Sequence, residues 1–318
     1  MADRPLLVTG GAGFIGSNLV RRLLEDGHRV VAVDDLSTGA LENLAEARSE
    51  RAAGRFTFER LDIRRGGLQA VMERHRPEVV HHLAAQVDVR RSVEDPLHDA
   101  EVNVLGTIAV LEAARLTGVR RIVYASSVGS YGEPTLEELP VDETYDRPAT
   151  SQYGTSKRVV LDYLATYREL YGLESTALTL ANVYGPHQTT AGEGGVVATF
   201  IGRMLDRQPC AIYGDGEQTR DFVFVDDVVH AFVLAMDRAE GQRLMVGTGH
   251  RTSINQLFRA LAAATGYDHE PLRKPARLGE VRHSALDARR AAAELGWKPW
   301  TTLEEGLAAT LRWAAGRA

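Results

Sequence analysis

Short apolar runs and longer stretches of helical spacing alternate along the first 180 residues of the chain. Pro5-Leu6-Leu7-Val8 is too short for a helix and rich enough in branched residues for a buried strand. Ile15, Leu19, Val20, Leu23 and Leu24 then recur at helical spacing, and Gly27 ends that run. Residues 29–34 and 56–61 read as strands, the second ending at Asp62, and 68–75 as a short helix. Residues 79–83 form a strand running into Ala84-Ala85-Gln86. A long helical pattern covers 98–117 and closes at Gly118, ahead of a strand at 121–125. A second long helix covers 151–171 and closes at Gly172, with another strand at 175–180. This alternation predicts an α/β fold, a Rossmann-like doubly wound parallel sheet with helices on both faces. Such sheets bind ligands at the carboxyl ends of their strands, where this chain places small and polar residues.

Beyond residue 180 the rhythm breaks. Asn182-Val183-Tyr184-Gly185-Pro186 reads as a loop, glycines follow between 192 and 195, and a helix spans about 196–206. Short runs at 211–213 and 222–225 precede a helix from 226 to 236, and further helices fall near 253–264, 288–295 and 303–315. The expected organisation is a dinucleotide-binding domain over 1–180 and a smaller C-terminal α/β lobe over 181–318 that closes on it. The helix at about 226–238 is placed to pack back on the sheet.

Composition narrows the class without changing this picture. A chain of 318 residues has room for one large domain or two smaller ones, and 44% hydrophobic with 25% charged residues is ordinary for a globular protein. A net charge of -6 provides no basic field for nucleic acid or an anionic membrane. Cys210 is the only cysteine, so neither an intrachain disulfide nor a cysteine-rich metal site is expected. The first strand begins within a few residues of Met1 and no apolar run approaches membrane-spanning length. A soluble protein of a reducing compartment, the cytoplasm, is the expectation.

Between the first strand and the first helix lies Thr9-Gly10-Gly11-Ala12-Gly13-Phe14-Ile15-Gly16, in which Gly10, Gly13 and Gly16 are spaced GxxGxxG. The first glycine permits a sharp turn, the second lets the backbone approach a pyrophosphate, and the third lets helix and strand pack closely. The helix N–H groups and the positive end of its dipole then face the phosphates. A tight turn with no ligand would need no acid at the end of the next strand, and this chain has Asp34 there. A carboxylate at that point accepts hydrogen bonds from a ribose 2′-OH and repels a 2′-phosphate. No arginine occurs among Asp35, Leu36, Ser37, Thr38 and Gly39, so NAD is favoured over NADP.

Tyr153 and Lys157 lie four apart on one predicted helix and share a face. A free phenol titrates near pH ~10 and is a poor base at neutrality. A neighbouring ammonium stabilises the phenolate and lowers that value. The pair alone would suit any amphipathic helix. Here it follows a dinucleotide fingerprint and a strand ending in Ser126-Ser127, whose hydroxyl can bond a substrate oxygen while tyrosine takes its proton. Together these point to a redox site.

At this point the chain resembles the extended short-chain dehydrogenase/reductase superfamily and, within it, the UDP-galactose (UDP-glucose) 4-epimerases. The likeness runs through TGGAGFIG from Thr9, DDLSTG from Asp34, HLAAQ from His82, ASSVGSYG from Ala125 and YGTSK from Tyr153. It continues through NVYGP from Asn182, GDGEQTRDFVFVDD from Gly214 and RLGE from Arg277. It implies that Gly10, Gly13, Phe14, Ile15 and Gly16 cradle the NAD pyrophosphate, with Asp34 and the turn to Gly39 on the adenosine ribose. Asp62 and Ile63 would border the adenine; Leu83, Ala84 and Ala85 would line the cofactor, with Asn103 bracing them. Ser126 would lie beside the nicotinamide, Ser127 and Tyr153 would act on the sugar, and Lys157 would bind the nicotinamide ribose. Asn182 would touch the diphosphate and the sugar, Gly195 and Val196 the nucleotide through their backbone, and Ala211 and Tyr213 the uracil. Arg220 and Arg277 would clamp the phosphates, and Glu280 the nucleotide ribose. A homodimer joined by the helices at 98–117 and 151–171 is implied as well.

Two departures concern the sugar end: Thr179 and His187 stand where the family commonly has arginine. Related 4,6-dehydratases follow the catalytic Ser/Thr with an Asp-Glu pair, and decarboxylating relatives place a glutamate two after it. This chain has Val128-Gly129, so a C4 ketone has no partner for further chemistry and the resemblance implies a 4-epimerase. A UDP-glucuronate 4-epimerase is the alternative with the same chemistry, and Asn182, where those relatives tend to carry Thr, favours a neutral hexose. A non-catalytic NAD-binding sensor would have no need of an intact Ser127, Tyr153 and Lys157. In the family, a small residue four after the acid of the R-x-G-[DE] motif goes with N-acetylated sugars; here it is Ser284.

Overall fold

The computed structural model describes residues 4–49, 54–189, 195–276 and 281–316. Its elements run β1 (Leu6–Thr9), α1 (Phe14–Glu25), β2 (Val30–Asp34), β3 (Phe56–Arg60), α2 (Leu68–His75), β4 (Val79–His82), α3 (Val89–Glu94) and α4 (Pro96–Ala100). They continue with α5 (Gly106–Thr117), β5 (Arg121–Ser127), α6 (Gln152–Tyr171), β6 (Glu174–Leu180), β7 (Asn182–Tyr184), α7 (Val196–Leu205), β8 (Ala211–Tyr213) and β9 (Thr219–Arg220). The chain ends through β10 (Phe222–Phe224), α8 (Val225–Leu234), β11 (Arg243–Val246), β12 (Thr252–Ser253), α9 (Ile254–Thr265), β13 (Leu272–Lys274), α10 (Arg289–Leu295) and α11 (Leu303–Ala315).

Seven strands form one parallel sheet in the order β11-β6-β5-β4-β1-β2-β3. The order reverses direction at β1, which lies between β2 and β4, so the carboxyl end of β1 opens on the crevice where such sheets bind ligands. Alternate side chains feed two cores. Val8, Ala32 and Val123 pack with α1 and α8 on one face, and Leu7, Val31 and Ile122 pack with α2, α5 and α6 on the other.

Caps explain why the expected helices end where they do. Ser151 accepts from the Gly154 N–H at the start of α6, and Gly118 and Gly172 close α5 and α6 in the left-handed conformation. The expected single helix over 98–117 is corrected. The structure has a separate α4, begun by Asp95 with Pro96 at its first position, then a π-helical turn over Glu101–Leu105 before α5. The apolar spacing runs through this turn unbroken, and the departure is enforced by side-chain bonds of Asn103 described below.

Asn182–Tyr184, expected as a loop, is instead a strand paired with β10. Residues 243–246 lie well past position 180 yet supply the edge strand of the large sheet, paired with β6. α8 packs back on the sheet across α1. Small ladders β8/β13 and β9/β12 complete the part of the chain beyond β7. Asp221 ties these pieces to the sheet: its buried carboxylate accepts from the N–H groups of Thr248, Gly249 and Leu286 and from the Thr248 hydroxyl. Burial pushes its carboxyl pKa up while those donors oppose the rise.

Candidate active site

The glycine turn is held by close approach. Gly10 has φ +68, and a Cβ there would stand 2.7 Å from the Ala84 nitrogen; a Cβ on Gly16 would overlap the Gly10 carbonyl oxygen. These two positions bring β1, α1 and the end of β4 together. Among the described residues no side chain caps the start of α1, and none of its first-turn residues is acidic, an arrangement that suits an anion at the helix start. Asp34 serves the same turn. One carboxylate oxygen accepts from Ala12 N at 2.9 Å, the other from Leu36 N at 2.8 Å. Burial pushes its pKa up and the backbone donors pull against that.

The turn from Asp35 to Gly39 folds over Ala12. Asp35 accepts from Ser37 N, Leu36 has φ 63, and Ala40 N donates to Ala12 O. Thr38 is exposed on this turn beside Ser37. Asp62 is bound by Arg64 at 2.7 Å and Arg65 at 3.2 Å, and the Arg64 bond holds its carboxyl down at about 2. The Ile63 side chain faces the core rather than the strand ends. Leu83, Ala84 and Ala85 are half-buried at the end of β4, and the Thr9 hydroxyl accepts from both Leu83 N and Ala84 N.

Asn103 sits in the π-helical turn and bonds outside its own helix. Its amide group donates to Gln86 O and Asp99 Oδ1 and accepts from Gln86 N, with Ser156 Oγ at 3.3 Å. It thereby fixes the loop after β4 against α6. Lys157, on α6, is enclosed: its ammonium donates to Ala125 O at 2.9 Å and stands 4.9 Å from the centre of the Tyr124 ring. Burial lowers its pKa to about 8, against the opposing charge of Asp99.

Ser127 ends β5 and caps the short turn Val128–Tyr131 by accepting from Gly129 N at 3.2 Å. A Cβ on Gly129 would lie 3.6 Å from Ser127 Oγ and 3.8 Å from two carbons of the Tyr153 ring, so the two side chains converge over that glycine. Ser126 Oγ, beside them, is buried with no protein hydrogen-bond partner.

Ser127 and Tyr153 lie in the wall of a cavity of about 1040 Å³. Asn182, Gly195 and Val196 line it too, the last two at the uncapped start of α7. Ala211 and Tyr213 enter it from β8, with the Lys274 ammonium over the Tyr213 ring. Arg220 reaches it from β9 while donating to the carbonyls of Thr219 and Arg282. Ser284 is brought to the same wall by its N–H bond to Thr219 O; its hydroxyl and the Asn182 amide oxygen are buried without hydrogen-bond partners among the described residues. Arg277 and Glu280 lie outside the described residues. Thr179 is buried in β6 next to Ser126, and His187 bonds Ser17 at 2.8 Å and lies against Trp313.

The sequence reading missed α3, whose Val89, Arg90 and Val93 form a further wall of the cavity. Its signal was present: Asp88 and Asp95 are both N-caps of short helices, accepting from Arg91 N and His98 N.

Residues 6–247 match the model of the NAD dependent epimerase/dehydratase family. A UDP-glucose 4-epimerase of Mycolicibacterium smegmatis is 50% identical over 96% of this chain and 96% of its own length. The structure of a UDP-glucose 4-epimerase with UDP-glucose from Thermotoga maritima superposes with a TM-score of 0.94 at 43% identity, covering 98% of this chain and 99% of that one. The Thermus thermophilus UDP-glucose 4-epimerase in complex with NAD gives 0.91 at 38% identity over 99% and 100%. A family match over residues 6–247 and a relative 50% identical along nearly the whole of both chains, on a sheet whose order turns at β1, show that the chain belongs to the NAD dependent epimerase/dehydratase family.

Proposed function

We propose that the protein is a UDP-sugar 4-epimerase that interconverts UDP-glucose and UDP-galactose with tightly held NAD. The observation that carries this reading is the convergence of Ser127, at the end of β5, and Tyr153, on the same helix as an enclosed Lys157, in the cavity wall, without an acid at Val128 or Gly129. The residues fit the cofactor. The start of α1 is uncapped, Gly10 and Gly16 leave no room for side chains, and Ser126 Oγ is a buried hydroxyl in want of a partner.

When bound, NAD supplies reversible hydride exchange with C4 of the sugar. Tyr153 takes the proton of the 4-OH and later returns it, and the Ser127 hydroxyl holds the C4 oxygen meanwhile. Lys157, while charged, favours the phenolate. Residues 1–180 hold the cofactor through Gly10 to Gly16, Asp34 to Gly39, Asp62, Ile63, Leu83 to Ala85, Asn103 and Ser126. Residues 181–318 hold the nucleotide through Asn182, Gly195, Val196, Ala211, Tyr213 and Arg220, with Arg277 and Glu280 completing the clamp. Anchoring the UDP end leaves the sugar able to present either face of C4 to Tyr153. Incubation with UDP-glucose should yield UDP-galactose by NMR, and Tyr153→Phe should lower the rate by ~10²-fold or more while NAD stays bound. A Phe variant of near wild-type rate would remove Tyr153 from the role of base.

The enclosed amine sets the alkaline limit. A lysine with its pKa lowered to about 8 carries charge below that pH and loses it above. kcat/KM should therefore fall as pH rises through about 8, and a rate flat from there to pH ~10 would show that the Lys157 charge is not used.

N-acetylated sugars form a second substrate pair in this reading. Ser284 is small, faces the cavity and has a buried hydroxyl without a partner among the described residues, whereas a tyrosine there would fill much of the space beside the sugar. The wild type should interconvert UDP-N-acetylglucosamine and UDP-N-acetylgalactosamine, and Ser284→Tyr should abolish this while sparing the plain hexoses. Turnover of UDP-glucose alone by the wild type would refute the gate.

A homodimer belongs to the same proposal. Leu97 and Leu116, on the α4–α5 stretch, and Leu170 and Tyr171, on α6, are exposed apolar side chains on the helices expected to meet a second copy. Light scattering at micromolar concentration should give twice the mass of one chain; a monomer would reject it. Among the described residues no helix is long and apolar enough to cross a membrane. A cytoplasmic setting is proposed with it, suited to Cys210, which is buried and unpaired.

A further inference from the structure

His82 is enclosed at the end of β4, 1% exposed, and both ring nitrogens are engaged. Nδ1 is 2.7 Å from Thr9 Oγ1, and Nε2 is 2.9 Å from Thr107 Oγ1. Counting donors fixes the proton. Thr9 Oγ1 already accepts from the N–H groups of Leu83 and Ala84, so its own hydrogen goes to Nδ1. Thr107 spends its hydrogen on Asn103 O at 2.7 Å, so it must accept from Nε2–H. The ring is neutral with the proton on Nε2. Burial, with the Lys157 charge nearby, holds its pKa down at about 3, so this form persists across the working pH range.

The consequence is a continuous line of hydrogen bonds from the end of β1, through the turn after β4, to the π-helical turn that carries Asn103. Leu83 N–H divides its bond between the Thr9 carbonyl and the Thr9 hydroxyl, and Ala84 N–H donates to that hydroxyl. Nδ1 orients that hydroxyl by accepting from it. At the other end, Nε2 orients Thr107, which satisfies a carbonyl in the π-helical turn. Gly10 packs directly on this turn, within 2.7 Å of the Ala84 nitrogen for an added Cβ. A shift of Ala84 would therefore pass into the glycine turn itself.

We infer that His82 is a positioning residue for cofactor binding: through Thr9 and Thr107 it sets the turn at Leu83 and Ala84 and the glycine turn packed on it. The inference rests on the proposed NAD site but not on the sugar chemistry. His82→Leu removes both bonds; His82→Gln retains an acceptor and a donor on one short side chain. Binding of NAD to the stripped protein would be followed by calorimetry, together with amide hydrogen exchange at Ala84 without NAD.

The Leu variant should bind NAD at least tenfold more weakly and exchange the Ala84 amide at least tenfold faster, with the Gln variant recovering most of both. Sugar turnover at saturating NAD should fall by less than threefold. A folded Leu variant with NAD affinity and exchange within twofold of wild type, or a Gln variant no better than Leu, would overturn the inference. Should His82→Leu fail to fold, Thr9→Val against Thr9→Ser decides. Val should reproduce the loss and Ser restore it, and equal affinities in the two would overturn the inference as well. A protein that binds NAD as described but leaves UDP-glucose untouched would sink the proposed reaction and leave the role of His82 standing.

Discussion

Enclosing an ammonium group in protein costs several kcal/mol unless hydrogen bonds and opposite charge replace the water it loses, and Lys157 is enclosed to 4% exposure. Its compensation comes from three places. The Ala125 carbonyl and the Tyr124 ring belong to β5, and the charge of Asp99 belongs to α4. Asp99 is itself buried and held by Gln86 and Asn103, so the demand of one cation spreads through the loop after β4 and the π-helical turn. Helix α6 cannot slide along β5 without stranding that charge. Tyr153, one turn earlier on α6, is therefore fixed relative to Ser127 at the end of β5 by the same requirement. The compensation is incomplete, and the lowered pKa records the deficit.

The cofactor and sugar ends of the site are joined mechanically as well as by proximity. The chain after β7 returns to the first turns of α1, where the Asn18 amide donates to both Phe14 O and Pro186 O and Ser17 meets His187. Phe14 is one of the residues proposed to face the pyrophosphate. Its carbonyl thus shares a donor with the segment that carries Asn182 and Gln188. His187, in the place of a family arginine, has φ 71 and packs on Trp313 of α11. The departure noted in the sequence is built into this junction, away from the cavity wall. Thr179, the other departure, leaves a small buried hydroxyl beside Ser126 in place of a long cation.

What could be read from the sequence follows the range of the forces involved. The first six strands of the sheet, α1, α2 and α6 are set by local periodicity and by caps such as Ser151, Gly118 and Gly172, and they stand where the pattern places them. The π-helical turn was hidden because Val102, Val104 and Leu105 continue an apolar helical spacing. Its cause is Asn103 bonding Gln86, seventeen residues away. β11 was hidden because four residues show no period of their own, and its partner β6 lies more than sixty residues earlier. In the site, glycine spacing, Asp34 and the Tyr153–Lys157 pair carry their chemistry in their sequence neighbours. Asp221 and His82 do not, because their roles rest on hydrogen-bond partners, Thr248 and Leu286 for the one and Thr9 and Thr107 for the other, brought in by the fold.

The turn after Ser127 also bears on which member of the family's chemistry is available. Val128–Tyr131 is a tight helical turn capped by Ser127 itself, and Gly129 fills the space between Ser127 and the Tyr153 ring. A carboxylate side chain at 129 would project into contact with both reacting groups, where it could work on a second carbon of the sugar. With glycine there, and with valine at 128, the described wall offers Tyr153 as the proton-transferring group and Ser127 as a hydrogen-bond partner. Elimination of water from a C4 ketone needs a base at C5 and an acid at the C6 oxygen. Neither is supplied by this turn. Return of the hydride is the outcome this turn favours, and it inverts or restores C4 according to the face the sugar presents.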